Sequence, residues 1–171
     1  MLFRSEEVLG AHVEAGAGRF RGIRHAGAWD PSPLIPRSHS NPPPGMYGLP
    51  SFRRGLTVLA GMGLSFEAWQ LHPQLDDVVA LADAVPEARI VLNHLGAPMG
   101  IGPYAGRRAE VLEAWQPAMA RLAARPNVVL KVGGIGMARF GAGFDTWPAP
   151  PTSDQLLAFW GDQLRWCIDT F

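Results

Sequence analysis

Glycine and proline in this chain gather just behind short apolar runs, and that placement limits the fold more than any other feature. Of the 20 Gly and 16 Pro among 171 residues, most fall in three stretches, 26–50, 94–106 and 133–152. The first follows FRGIRH (20–25), the second RIVLN (89–93) and the third NVVLKV (127–132). Each run has the length and composition of a strand. A fourth, LSFEAWQL (64–71), precedes the helical pattern of 74–85. The links from helix to strand are short (61–63, 86–88 and 125–126), whereas three of the links from strand to helix are long. Structureless loops beyond about 12–15 residues are uncommon in compact domains unless they carry function.

Between the runs the spacing predicts helices. Ser5 caps a helix over 5–18, with Glu6 and Glu7 in its first turn and Val8, Leu9 and Val13 as its apolar stripe. Further helices are predicted over 51–60, 74–85, 107–124 and 153–170. Strands alternating with helices imply βαβ units and a parallel sheet. The runs are apolar rather than alternating, as expected when both faces of a sheet are covered. In such folds ligands bind at the carboxyl ends of the strands, among the strand-to-helix loops. The long loops therefore mark the expected binding face.

Composition narrows the function classes. The chain is 47% hydrophobic and 18% charged, enough to build one core, and it reads as a single domain over residues 1–171. Fifteen basic and fifteen acidic residues, with no basic run, argue against a nucleic-acid partner. No apolar run approaches the roughly 18 residues of a membrane span, so no membrane partner is expected. MLFRSEEVLG lacks a signal-peptide pattern, and the lone Cys167 offers neither a disulfide nor a zinc motif. A cytoplasmic location is the expectation.

Chemistry-bearing side chains stand near the strand ends. His25 ends its run, His72 follows LSFEAWQL, His94 ends RIVLNH, and Lys131 lies near the end of NVVLKVGG. Converging histidines make a metal site or an acid–base site; a single one is more often a hydrogen-bonded structural residue. Lys131 is the only lysine among the basic residues. Its ammonium can bind a carboxylate or carbonyl oxygen, or it can simply snorkel at a rim. Glu67 in a covered strand needs a partner, with Arg24 or Arg21 the nearest in the predicted neighbour. Phosphate-loop, dinucleotide, GxSxG and HExxH motifs are absent. Ser38, His39 and Ser40 have no orienting acid nearby in sequence.

The ordered segments FRGIRHAGAWD, GLSFEAWQLHPQL, RIVLNHLGAPMGIGPYAGRR and NVVLKVGGIGM resemble the amidohydrolase-related family, lactonase-type branch. The resemblance implies an α/β fold, part of a (βα)8 TIM barrel: strands four to seven of eight, preceded by a helix. It implies hydrolysis of a lactone or related carboxylic ester by an activated water, with a small carboxylate or lactone as substrate. The NHLG histidine, His94, would be catalytic and could ligate a divalent metal (Zn or Mn). Arg24, His25, His72 and Lys131 would contact substrate. The chain departs from the family pattern in lacking the HxH strand and the final acid-bearing strand, and His12 has no HxH partner. On that reading the site is incomplete, and the open barrel edges and an apolar interior would drive self-association. Two alternatives stay open: a decarboxylase on the same barrel, and a half barrel without catalysis.

Overall fold

The computed structural model describes residues 6–171. Four parallel strands form one sheet in sequential order: β1 (Gly22–Ala26), β2 (Ser65–Trp69), β3 (Ile90–Leu92) and β4 (Val128–Leu130). Helix α1 (Glu6–Gly16) precedes them, and α2 (Pro50–Gly61), α3 (Leu75–Ala84), α4 (Arg108–Ala123) and α5 (Ser153–Thr170) each follow a strand. Sequential order with every connection helical is the repeating unit of a (βα)8 barrel. The expected cap of α1, Ser5, lies outside the described residues. Thr152 caps α5, its hydroxyl accepting from the Gln155 N–H while the Gln155 side chain accepts from the Thr152 N–H.

Register decides which side chains meet. Arg24 pairs with Glu67, Glu67 with Val91 and Val91 with Val129, so these four share one face. On the other face Phe66, Ala68, Ile90 and Leu92 are fully buried. They pack with Leu56 and Leu59 of α2, Val78 and Leu81 of α3 and Met119 and Leu122 of α4. Only this face is covered by helices. Val129, on the opposite face, is 48% exposed. The expectation that both faces are covered, over an apolar interior, is thus corrected: the second face is open among the described residues and carries charge.

The long connections are also less irregular than their composition predicts. Short 3-10 turns at Met46–Gly48, Gly102–Tyr104, Ala138–Phe140 and Phe144–Thr146 punctuate them. Side chains from the loops anchor them to the sheet. Tyr47 is buried, and its hydroxyl accepts from the Gly27 N–H and sits 3.2 Å from the carbonyls of both His25 and Trp69. Burial raises its pKa well above the usual tyrosine range. Gln74 donates to the Gly27 carbonyl at 2.8 Å and accepts from the Trp29 and Leu71 N–H groups, tying the loops after β1 and β2. Tyr104 donates to Asp30 at 2.7 Å and links the loops after β1 and β3.

Candidate active site

The open face of the sheet holds a charged cluster built from four consecutive strands. Glu67, in the middle of β2, places one carboxylate oxygen against Lys131 Nζ at 2.6 Å and the other against Arg24 Nε at 2.7 Å. A second guanidinium nitrogen of Arg24 reaches the same oxygen and the Asn93 side-chain oxygen at 3.3 Å. Asn93 is fully buried and donates in turn to the Ala68 carbonyl at 2.9 Å. Arg24 therefore has its fork fixed from two sides. Partial burial pushes the Glu67 carboxyl up, but hydrogen bonds from Lys131 and Arg24 outweigh it and hold it below the usual carboxylate range. The Arg24 and Lys131 side chains remain 48% and 41% exposed, so each keeps donors toward solvent. Exposed pairs of this kind add little stability. They do orient charge: two cations against one carboxylate leave a positive surplus. A third cation, Arg139, lies over the Trp69 ring with its guanidinium 5.4 Å from the centroid.

His94 joins this cluster through an unusual backbone. His94, Leu95, Gly96 and Ala97 all have positive φ, at 53°, 53°, 65° and 51°. Only one of the four is glycine, and left-handed backbone costs roughly 1–2 kcal/mol for each of the others. The turn is held by Gly96 N–H to the Asn93 carbonyl (3.0 Å), Ala97 N–H to the His94 carbonyl (2.9 Å) and His72 N–H to the Ala97 carbonyl (3.0 Å). As a result the imidazole leaves the alternation of β3 and meets Trp69 edge to face, ring centroids 5.1 Å apart. Its Nδ1 is buried without a hydrogen-bond partner. The ring as a whole is half-buried. Burial first, then the charges of Arg24 and Lys131, lower the His94 pKa below the ordinary histidine value, against the opposing pull of a hydrogen bond with the Gly133 backbone and of Glu67. The ring is therefore held toward its uncharged form, which can take a proton.

Of the residues singled out in the sequence, Arg24, Lys131 and His94 come together. His25 and His72 do not join them. His25 shares the register row of Ala68 and Leu92, on the helix-covered face, and burial lowers its pKa to about 4. His72 is buried under the loops, its Nδ1 accepting from the Met99 N–H at 3.3 Å and its ring against Tyr104 at 4.8 Å. Burial lowers its pKa to about 4 as well. The sequence offers Arg24 or Arg21 as the partner of Glu67; the structure selects Arg24 and adds Lys131, which that reading missed. The same reading also missed Asn93, whose place two residues beyond Val91 was the available signal.

No group of three or more His, Cys, Asp and Glu side chains that could hold a metal ion occurs among the described residues. The charged neighbours of His94 are mainly cations, Arg24 and Lys131 against Glu67. The described residues do not by themselves fit a divalent metal.

A sequence model of the family described as Amidohydrolase matches residues 6–162. This chain belongs to the amidohydrolase family. The uncharacterized protein y4mH of Sinorhizobium fredii is 36% identical over 88 residues, 52% of this chain and 27% of that protein. An L-fucono-1,5-lactonase of Burkholderia ambifaria is 34% identical over 86 residues, 50% of this chain and 27% of the lactonase. Two crystal structures of an amidohydrolase from Burkholderia multivorans superpose with a TM-score of 0.70. One contains bound HEPES, at 23% identity over 98% of this chain and 52% of that one. The other contains bound zinc, at 21% identity over 98% of this chain and 51% of that one. The chain thus spans about half the length of these solved amidohydrolases. The likeness fixes the fold as consecutive βα units of a TIM barrel.

Proposed function

We propose that this chain carries the substrate-anchoring half of a hydrolase site that opens a lactone or related carboxylic ester. The observation that carries the reading is the convergence of Arg24, Lys131 and the His94 imidazole at the carboxyl ends of parallel strands. The lactonase relative supports the lactone as substrate class.

The chemistry follows from the charges. Water adds to the ring carbonyl, and its proton passes to the neutral imidazole of His94. Negative charge gathers on the former carbonyl oxygen, where the ammonium of Lys131 and the guanidinium of Arg24 stabilise it. The ring C–O bond then breaks, and the leaving oxygen takes the proton to become a hydroxyl. The product is a hydroxy acid that ionises at neutral pH. Glu67 does not react. It spaces the two cations and keeps them on this face. A zinc ion like that in the B. multivorans amidohydrolase would need ligands beyond those described here. No step above passes through one.

The test is a product assay with L-fucono-1,5-lactone and other sugar lactones. Ring opening predicts one proton released per lactone consumed, read with a pH indicator, and no carbon dioxide. Carbon dioxide release from an aromatic or muconate-type acid, with lactones untouched, would favour the decarboxylase reading instead. We further propose that groups outside the described residues complete the water-activating side of the site, so the assay includes a long-incubation arm at high protein concentration.

A further inference from the structure

We propose that Trp115 and Gly134 are positioning residues that hold His94 in its left-handed turn and fix where its imidazole stands. The turn is costly and must be held from outside. Its own hydrogen bonds are few, and Leu95 N–H reaches the Lys131 carbonyl only at 3.5 Å. The strong external bond comes from the covered side of the sheet: Trp115 of α4, itself buried, donates its indole N–H to the Leu95 carbonyl at 2.6 Å. Leu95 is fully buried and sits between His94 and Gly96 in the turn. Without the indole donor its carbonyl would stay buried and unpaired, and the turn would lose the contact that fixes its depth.

Gly134 acts from the open side. Its φ is +73°, and a Cβ built there would lie 2.4 Å from Nδ1 of His94 and 2.9 Å from its Cγ. The imidazole occupies the space that any other residue would fill. The close approach of Gly134 leaves Nδ1 buried. Gly96 completes the seat: its Cβ would come within 2.7 Å of Met119 Sδ and 2.9 Å of Leu75 Cδ2, so the turn lies flush on α3 and α4. Two helices and the loop after β4 thus determine where the imidazole stands. Why that placement matters rests on the hydrolytic reading above; the placement itself is testable without it.

The experiment is NMR of the whole chain labelled with 15N-histidine, which reports both ring nitrogens of each of the five histidines. His94 is assigned from the signals lost in His94→Gln. The variants are Trp115→Phe, which keeps an aromatic ring and removes the donor, and Gly134→Ala. Gln116→Ala, beside Trp115 on the exposed side of α4, is the control. Both variants are expected to shift and broaden the His94 ring signals, with those of His12 and His39 unmoved and the control silent. Far-UV circular dichroism identifies a variant that has failed to fold, and the other then decides. His94 signals that stay in place in a folded Trp115→Phe or Gly134→Ala would overturn the proposal. Ring signals that move as expected while lactone opening is unchanged would count against the hydrolytic reading, not against this one.

Discussion

Replacing Trp160 by alanine is expected to lower the unfolding free energy by about 3–5 kcal/mol, a large share of the roughly 5–15 kcal/mol of an ordinary domain. Trp160 is fully buried on α5, with Phe140 at 5.9 Å and Phe159 at 5.1 Å between ring centroids. The Arg108 guanidinium lies 4.5 Å from its ring, joining α4 to α5. Its indole N–H donates to the Ile135 carbonyl at 3.0 Å and holds the loop after β4. Alanine leaves a cavity and strips that carbonyl of its partner. Phenylalanine keeps most of the volume and loses only the donor, for about 1 kcal/mol. Urea titration monitored by circular dichroism checks both: an alanine variant within 1 kcal/mol of the parent would mean that α5 is not docked as described.

Replacing His94 by glutamine is expected to reduce lactone turnover by about 10²–10⁴-fold, the usual worth of a positioned proton acceptor. Glutamine preserves size and polarity but cannot take a proton near neutral pH. The pH profile supplies the sign. The His94 pKa is lowered, so the neutral, active form persists below the ordinary histidine value. Activity should hold through neutral pH and fall only as the solution is acidified through that lowered pKa. An acid limb above the ordinary value, or a glutamine variant with parental turnover, would remove His94 from the role.

The sequence made the strands and helices legible because each coincides with an apolar run or a helical stripe, and the Gly- and Pro-rich stretches separate them. Boundaries moved by a few residues. LSFEAWQL shortens to Ser65–Trp69 because Leu71 and Gln74 turn the chain into α3, and Gln74 is needed to bind Gly27. The site was legible one residue at a time but not as a geometry. Alternation along β1 sends Arg24 to the open face and His25 to the covered one, so adjacent residues parted company. Lys131 and Glu67 are 64 positions apart, and only the strand register brings them together. The left-handed turn was not legible, because Leu95 and Ala97 carry no local sign of positive φ. It exists because Trp115, also distant in sequence, holds it.

On the proposed function, the cations on this face of the sheet are set to hold a hydroxy-acid product. Calorimetric titration of the parent chain and of Lys131→Met with L-fuconate, the ring-opened form of L-fucono-1,5-lactone, measures that hold. Saturable binding to the parent is expected, weakened at least about tenfold, or about 1.4 kcal/mol, in Lys131→Met. The corresponding uncharged alditol is expected to bind neither. Equal affinity of parent and variant for the anion, or equal affinity of the parent for the anion and the alditol, would contradict that reading.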